Sequence, residues 1–293
     1  MTQNVKIAGV QMDVTLGEVQ TNLDRIDQKL QETSAAEASI TVFPECALTG
    51  YGFDSLEEAR PCAETLPGPS TQRIAETCRE YNSFAIYGLL ELDGERLFNA
   101  CVLVGPDGVV GSYRKVHLPF LGIDRFVTPG DRPFEIHTAG DVRVGMNICY
   151  DGSFPESARV MALAGADLIA LPTNWPPGAH TFADYAINCR AMENCVYYIA
   201  VDRVGTERGF PFIGKSRICE TDGRDLAFAP GDDETILYAE IDLARARNKH
   251  LVRIPNKHEI HRFADRRPEM YKAITDPVRE EHVRTRQRPG DES

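Results

Sequence analysis

A carboxylate, an ammonium and a thiol stand at the ends of three separate apolar stretches. Glu45 follows Ile40–Phe43 in Phe-Pro-Glu-Cys. Lys115 closes the stretch 109–115 in Tyr-Arg-Lys-Val-His-Leu, and Cys149 closes Val-Arg-Val-Gly-Met-Asn-Ile-Cys (142–149). Together these groups suffice for acyl transfer: the thiol attacks a carbonyl, the carboxylate takes its proton, and the ammonium neutralises the oxyanion. Taken singly, each has a plainer reading. Glu45 would be a loop or ion-pair residue, and Lys115, beside Arg114, a solvated base. A cysteine is most often a small buried hydrophobe. That plain reading is the expectation for Cys46, Cys62, Cys78, Cys101, Cys189, Cys195 and Cys219.

Cys149 differs in its setting. Val142, Val144, Met146 and Ile148 alternate as a strand with one buried face. Pro155 and Glu156 then suit the first turn of a helix. The thiol is therefore expected at a strand-to-helix turn, among outward N–H groups whose field favours a thiolate.

The elements that must position these groups follow from periodicity. Residues 5–11 read as a strand, Val19, Leu23, Ile26 and Leu30 as a helix face, and Ile40–Phe43 as a second strand. The same order recurs at 142–171, with a helix over 156–164 capped by Gly165. Between these units lie a helix near 70–80 with Ser70 as its cap, a strand near 84–90, and strands near 97–104 and 109–116 joined by Gly105-Pro-Asp-Gly108. Beyond 172 come a helix marked by Phe182, Tyr185 and Cys189, then strands at 196–201, 213–219 and 235–241. In open α/β sheets ligands bind at the carboxyl ends of strands, so the three reactive groups can share one pocket.

Bulk properties narrow the function. The 293 residues carry a net charge of −12, which argues against nucleic acid as a partner. The longest apolar run, 160–171, is broken by Asp167, so no membrane span is expected. The N-terminus lacks a signal-peptide core, and the eight scattered cysteines form no Cys-x-x-Cys pair. A cytoplasmic chain with free thiols is the expectation. His258-Glu-Ile-His261 lies in a polar, helix-like stretch with no third ligand in view, so no metal is expected.

The three motifs together have a recognisable form. Phe-Pro-Glu (43–45), Tyr-Arg-Lys-x-His-Leu (113–118) and Asn-Ile-Cys-Tyr-Asp-x-x-Phe-Pro-Glu (147–156) resemble the signature segments of the nitrilase, or carbon–nitrogen hydrolase, superfamily. Thr49-Gly-Tyr51, Thr128-Pro-Gly-Asp131, Arg190-Ala-Met-Glu-Asn194 and Asp265-Arg-Arg-Pro-Glu-Met-Tyr271 fit as well. The resemblance implies a four-layer α-β-β-α sandwich over residues 1–276, followed by a polar tail at 277–293. It implies Cys149 as nucleophile, Glu45 as general base, Lys115 and the Tyr150 N–H as oxyanion donors, and no cofactor. It also implies a homodimer or larger homo-oligomer. Many members carry a further glutamate after the lysine motif; here the only carboxylate in that stretch is Asp124, which either reaches the site or pairs with Arg125 at the surface.

The motif after the cysteine reads Cys-Tyr-Asp where true nitrilases usually read Cys-Trp-Glu. The expected substrate is therefore a small carboxamide, cleaved through a thioester to a carboxylate and ammonia. An N-carbamoyl amine or amino acid comes second and a nitrile third, with a catalytically idle scaffold as the reading from a different class. Tyr51, Phe120, Asp124, Asn174 and Trp175 are the candidate substrate contacts. Arg203 is a candidate carboxylate clamp or, more simply, a structural ion pair.

Overall fold

The computed structural model describes residues 4–282. The first half supplies β1 (Asn4–Gln11), α1 (Val19–Ala35), β2 (Ile40–Val42), the single turn α2 (Leu56–Ala59), α3 (Pro69–Tyr81), β3 (Phe84–Asp93), β4 (Arg96–Gly105) and β5 (Gly108–Arg114). The second half begins with β6 (Ile136–Ala139), β7 (Val142–Met146), α4 (Pro155–Leu163), β8 (Leu168–Thr173), α5 (Ile187–Asn194) and β9 (Tyr197–Asp202). A short hairpin, β10 (Thr206–Glu207) and β11 (Phe210–Pro211), precedes β12 (Arg217–Cys219), β13 (Asp225–Phe228), β14 (Thr235–Asp242) and α6 (Leu243–Arg247). The hairpin β15 (His250–Ile254) and β16 (His258–His261) comes last.

Two six-stranded sheets result, ordered β14-β1-β2-β3-β4-β5 and β13-β12-β9-β8-β7-β6. Within the two sheets, the parallel strand pairs are those of β1-β2-β3 and β7-β8-β9. Those strands are covered on both faces, so β8 and β9 read as unbroken apolar runs and are buried throughout. The inner faces meet in one core that includes Ile7, Val42, Ile86 and Leu103 from the first sheet and Val144, Leu168 and Ile199 from the second. Helices α1 and α3 bury Leu23, Ile26, Leu30, Ile74 and Cys78 on the outside of the first sheet. Helices α4 and α5 cover the second, giving the four layers α-β-β-α.

Several local expectations are corrected. Gly68, not Ser70, caps α3, with Pro69 at its first position; the Ser70 hydroxyl instead meets Glu64 and Tyr87. The strand expected at 213–219 shrinks to β12, because Gly214 and Lys215 take positive φ (63° and 66°) and break the extended run. The helix near 182–189 starts as a π-helical turn at 182–186 before α5. His258 and His261 stand on strand β16, not a helix, with His261 stacked on His250. No helix among the described residues is long and apolar enough to cross a membrane. Of the polar tail, residues 283–293 lie outside the described residues.

Candidate active site

The ends of β2, β5 and β7 converge. Glu45 lies just past β2, where Pro44 O accepts the Gly88 N–H at 3.1 Å. A Cβ at Gly88 would fall 2.7 Å from the Glu45 Cα, so only glycine lets β3 approach the glutamate this closely. Lys115 extends the β4–β5 ladder by donating its N–H to Asn99 O at 2.8 Å. A Cβ at Gly130 would sit 2.2 Å from Arg114 O, and the Gly130 N–H donates to Lys115 O at 2.8 Å. The Pro-Gly-Asp segment therefore backs the lysine.

Tyr-Arg-Lys-Val-His divides its work by residue. Lys115 points into the site. Arg114 pairs with Glu91 at 2.6 Å and with Asp93 and Asp131 at 3.0 Å. Tyr113 donates to Asp151 Oδ2 at 2.8 Å, and the His117 N–H reaches Asp151 Oδ1 at 2.9 Å. Asp151 Oδ2 also accepts the Ile148 N–H at 3.0 Å. Asp151 thus ties the turn that carries Cys149 to the segment that carries Lys115. Sequence reading missed this clamp; its signal was an acidic residue two positions after the cysteine.

At the centre, Lys115 Nζ lies 2.6 Å from Glu45 Oε1 and 2.5 Å from Asp124 Oδ2, with all three side chains sealed from solvent. Asn99 Nδ2 donates to Glu45 Oε1 at 2.7 Å and to Asp124 Oδ1 at 2.9 Å. Tyr51 donates to Asp124 Oδ2 at 2.8 Å. Asp124 therefore does not form the surface pair with Arg125, which instead reaches Asp54 and Phe53 O. Asn99 escaped notice because one amide on an otherwise apolar buried strand carries no local signal of its partners.

Cys149 opens a 3₁₀ turn (Cys149–Ser153) and takes φ +46°, a strained value for a side-chain-bearing residue. The 3₁₀ turn starts at Cys149 itself, and α4 begins only at Pro155. Burial and the Glu45 carboxylate push the thiol well above its ordinary pKa, against the opposing pull of Lys115, Thr173 and the Asn174 N–H. Burial also raises Glu45, with Lys115 pulling it back. Burial works against the Lys115 ammonium, but the Asp124 and Glu45 carboxylates outweigh it and hold its pKa high. These directions favour the neutral thiol, raise the proton affinity of the Glu45 carboxyl and favour the charged ammonium of Lys115.

Glu45 Oε2 and both amide atoms of Asn174 are buried without a hydrogen-bond partner. Tyr51 and Phe120 line a cleft of about 380 Å³ with Leu121, Phe210 and Phe212, and none of Glu45, Lys115 and Cys149 lines it. Trp175 is buried, its ring edge-on to Phe182 with centroids 5.8 Å apart, and it does not line that cleft. Arg203 is fully buried and engages Asp13, Glu207 and Val14 O, so it is a structural ion-pair residue rather than a carboxylate clamp.

The model of the carbon–nitrogen hydrolase family matches residues 6–250. The chain belongs to the carbon–nitrogen hydrolase family of the nitrilase superfamily. It is 41% identical over 268 residues to a protein named nitrilase from Pyrococcus abyssi, covering 91% of this chain and 99% of that one. It is 35% identical over 243 residues to an (R)-stereoselective amidase from Pseudomonas sp, covering 82% and 85% respectively. Its fold matches that of an amidase from Nesterenkonia sp. AN1 with a TM-score of 0.75 at 23% identity, covering 92% of this chain and 97% of that one. That structure is of a mutant carrying the acetamide moiety of fluoroacetamide on the active-site cysteine.

Proposed function

We propose that this enzyme is an amidase that converts a small carboxamide to a carboxylate and ammonia through a thioester on Cys149. One observation carries the reading: Glu45 has one oxygen anchored by Lys115 and Asn99 while the other, buried, has no partner. An anchored carboxylate with a free oxygen beside a protonated thiol suits a general base.

Glu45 Oε2 takes the Cys149 proton as the sulfur attacks the amide carbon. Lys115 Nζ and the Tyr150 N–H hold the resulting oxyanion. Glu45 returns the proton to the departing nitrogen, which leaves as ammonia. Water, deprotonated by the same Glu45, then attacks the thioester, releasing the carboxylate and restoring the thiol. Asp124 stands in for the family's additional glutamate by holding Lys115. Tyr51 and Phe120 wall the approach, and the unpartnered Asn174 amide offers a donor and an acceptor to the substrate. The cysteine adduct of the Nesterenkonia amidase and the Pseudomonas amidase relative support this chemistry.

The name of the Pyrococcus relative favours a nitrile as the second reading. Ammonia and CO₂ release from a panel of carboxamides, N-carbamoyl compounds and nitriles separates them. Amide turnover that disappears in Cys149→Ala is expected; CO₂ release or nitrile turnover without amide turnover would overturn the amidase reading. The enzyme is further proposed to act as a homodimer, since α4, α5 and the turn before α5 leave Val160, Leu163, Tyr185 and Met192 exposed. Sedimentation of the purified protein as a monomer would overturn that.

A further inference from the structure

We propose that Glu207, backed by Arg203, is a positioning residue that sets the Tyr51 loop so that the Tyr51 hydroxyl keeps Asp124 against Lys115. The proposal rests on the catalytic reading above. Glu207 ends β10, and its carboxylate accepts the Tyr51 N–H at 3.1 Å and the Gly52 N–H at 2.7 Å. On its other side it pairs with the buried Arg203. Arg203 is itself fixed to the first loop, donating to Val14 O at 2.6 Å and to Asp13 Oδ1 at 2.8 Å.

The loop has little freedom between these anchors. A Cβ on Gly50, which takes φ +81°, would lie 2.7 Å from Leu16 Cα and 2.8 Å from Glu207 Oε1. A Cβ on Gly122 would lie 2.3 Å from the Tyr51 ring. With its backbone held at one end and its ring wedged at the other, Tyr51 delivers its hydroxyl to Asp124 Oδ2, the oxygen that Lys115 Nζ also contacts. Asp124 and Glu45 compete for that ammonium. If Tyr51 recedes, Asp124 loses a donor and its fixed position, and the Lys115 ammonium it holds shifts with it. The oxyanion donor and the anchor of Glu45 are then displaced together. Displacements of about 1 Å at such a site can cost on the order of a hundredfold in rate.

The test compares wild type, Glu207→Gln, Tyr51→Phe and the double variant, each shown by near-ultraviolet circular dichroism to be folded. Two readouts are taken: kcat and KM on a small carboxamide, and the rate of Cys149 alkylation by iodoacetamide. Glu207→Gln is expected to lower kcat by about 10- to 100-fold with KM within about threefold, and to slow alkylation. Adding Tyr51→Phe to it should cost less than about a further threefold, because both act through one hydroxyl. Unchanged kcat per folded molecule, or penalties that multiply, would overturn the proposal. If Glu207→Gln does not fold, Glu207→Asp keeps the charge that faces Arg203 while withdrawing the carboxylate, and the same two outcomes decide. A wild type without amide turnover refutes the amidase reading alone, since alkylation still reports on the Glu207–Tyr51 coupling.

Discussion

Lys115 and Asp124 meet at 2.5 Å with neither side chain reaching solvent, although the loop between them turns outward at Phe120. The short 3₁₀ turn Gly122–Arg125 carries the aspartate, which is buried. A buried ammonium held between two carboxylates keeps its charge and its place.

Asp124→Asn should therefore lower kcat by about 10²- to 10³-fold, the scale of losing one oxyanion donor, with a smaller effect on KM. Asp124→Glu should be impaired as well, because the extra methylene has no room beside Tyr51 and Asn99. Steady-state kinetics on a small carboxamide checks both, and near-wild-type kcat for Asp124→Asn would refute the role.

Asn99 donates one amide nitrogen to two carboxylates, so removing it leaves both short of a donor. Asn99→Ala should cost about 1.5–3 kcal/mol in transition-state stabilisation, roughly 10- to 100-fold in kcat/KM. Asn99→Asp should be worse, because it crowds a third carboxylate into the same space. An Asp variant as active as the Ala variant would contradict this.

The pH profile has a definite sign. Burial raises the Glu45 carboxyl, and a base must be ionised to act, so activity should be lost as pH falls through that raised value. The acid limb of kcat/KM should lie above the ordinary glutamate value of about 4.3. The Asn99 hydrogen bond favours the ionised form, so Asn99→Ala should move the limb to still higher pH. A limb at or below the ordinary value would contradict the assignment.

Thiol labelling separates an enzyme from an idle scaffold. Cys189 is exposed and Cys62 half-buried, so both should react with charged and neutral reagents alike. Cys149 can pass its proton to Glu45, so it should take the neutral iodoacetamide but, beside that carboxylate, resist the anionic iodoacetate. Glu45→Gln should slow that reaction. Peptide mapping of the labelled protein reads the result, and indifference of Cys149 to both changes would favour the scaffold.

Away from the site, Asp167 is buried and bridges Arg143 at 2.8 Å and Arg247 at 2.9 Å, joining the start of β8 to β7 and α6. Burial would raise its pKa, but the two guanidiniums prevail and hold it low. Its stabilising contribution is therefore present above the ordinary aspartate pKa and is lost as pH falls through the depressed one. Both arginines are partly exposed, so Asp167→Asn should cost only about 1–2 kcal/mol near neutrality. The difference in melting temperature from wild type should shrink in acid; a gap that widens would contradict the assignment.

Periodicity alone placed Glu45, Lys115 and Cys149 at strand ends, because alternation along a strand reports which face is buried. The order of the three motifs then named the family. Three-dimensional packing decided the rest. Asp124 could have been a surface partner of Arg125; the turn at 122–125 buries it instead. Asn99 and Asp151 looked like ordinary polar residues, yet each joins segments far apart in sequence, and such contacts leave no local period. The strand-to-helix setting of Cys149 suggested a thiolate, but burial and the Glu45 carboxylate push its pKa the other way. A chain's own pattern records what each residue prefers; the charge state and partners of a buried group depend on what the opposite sheet brings to it.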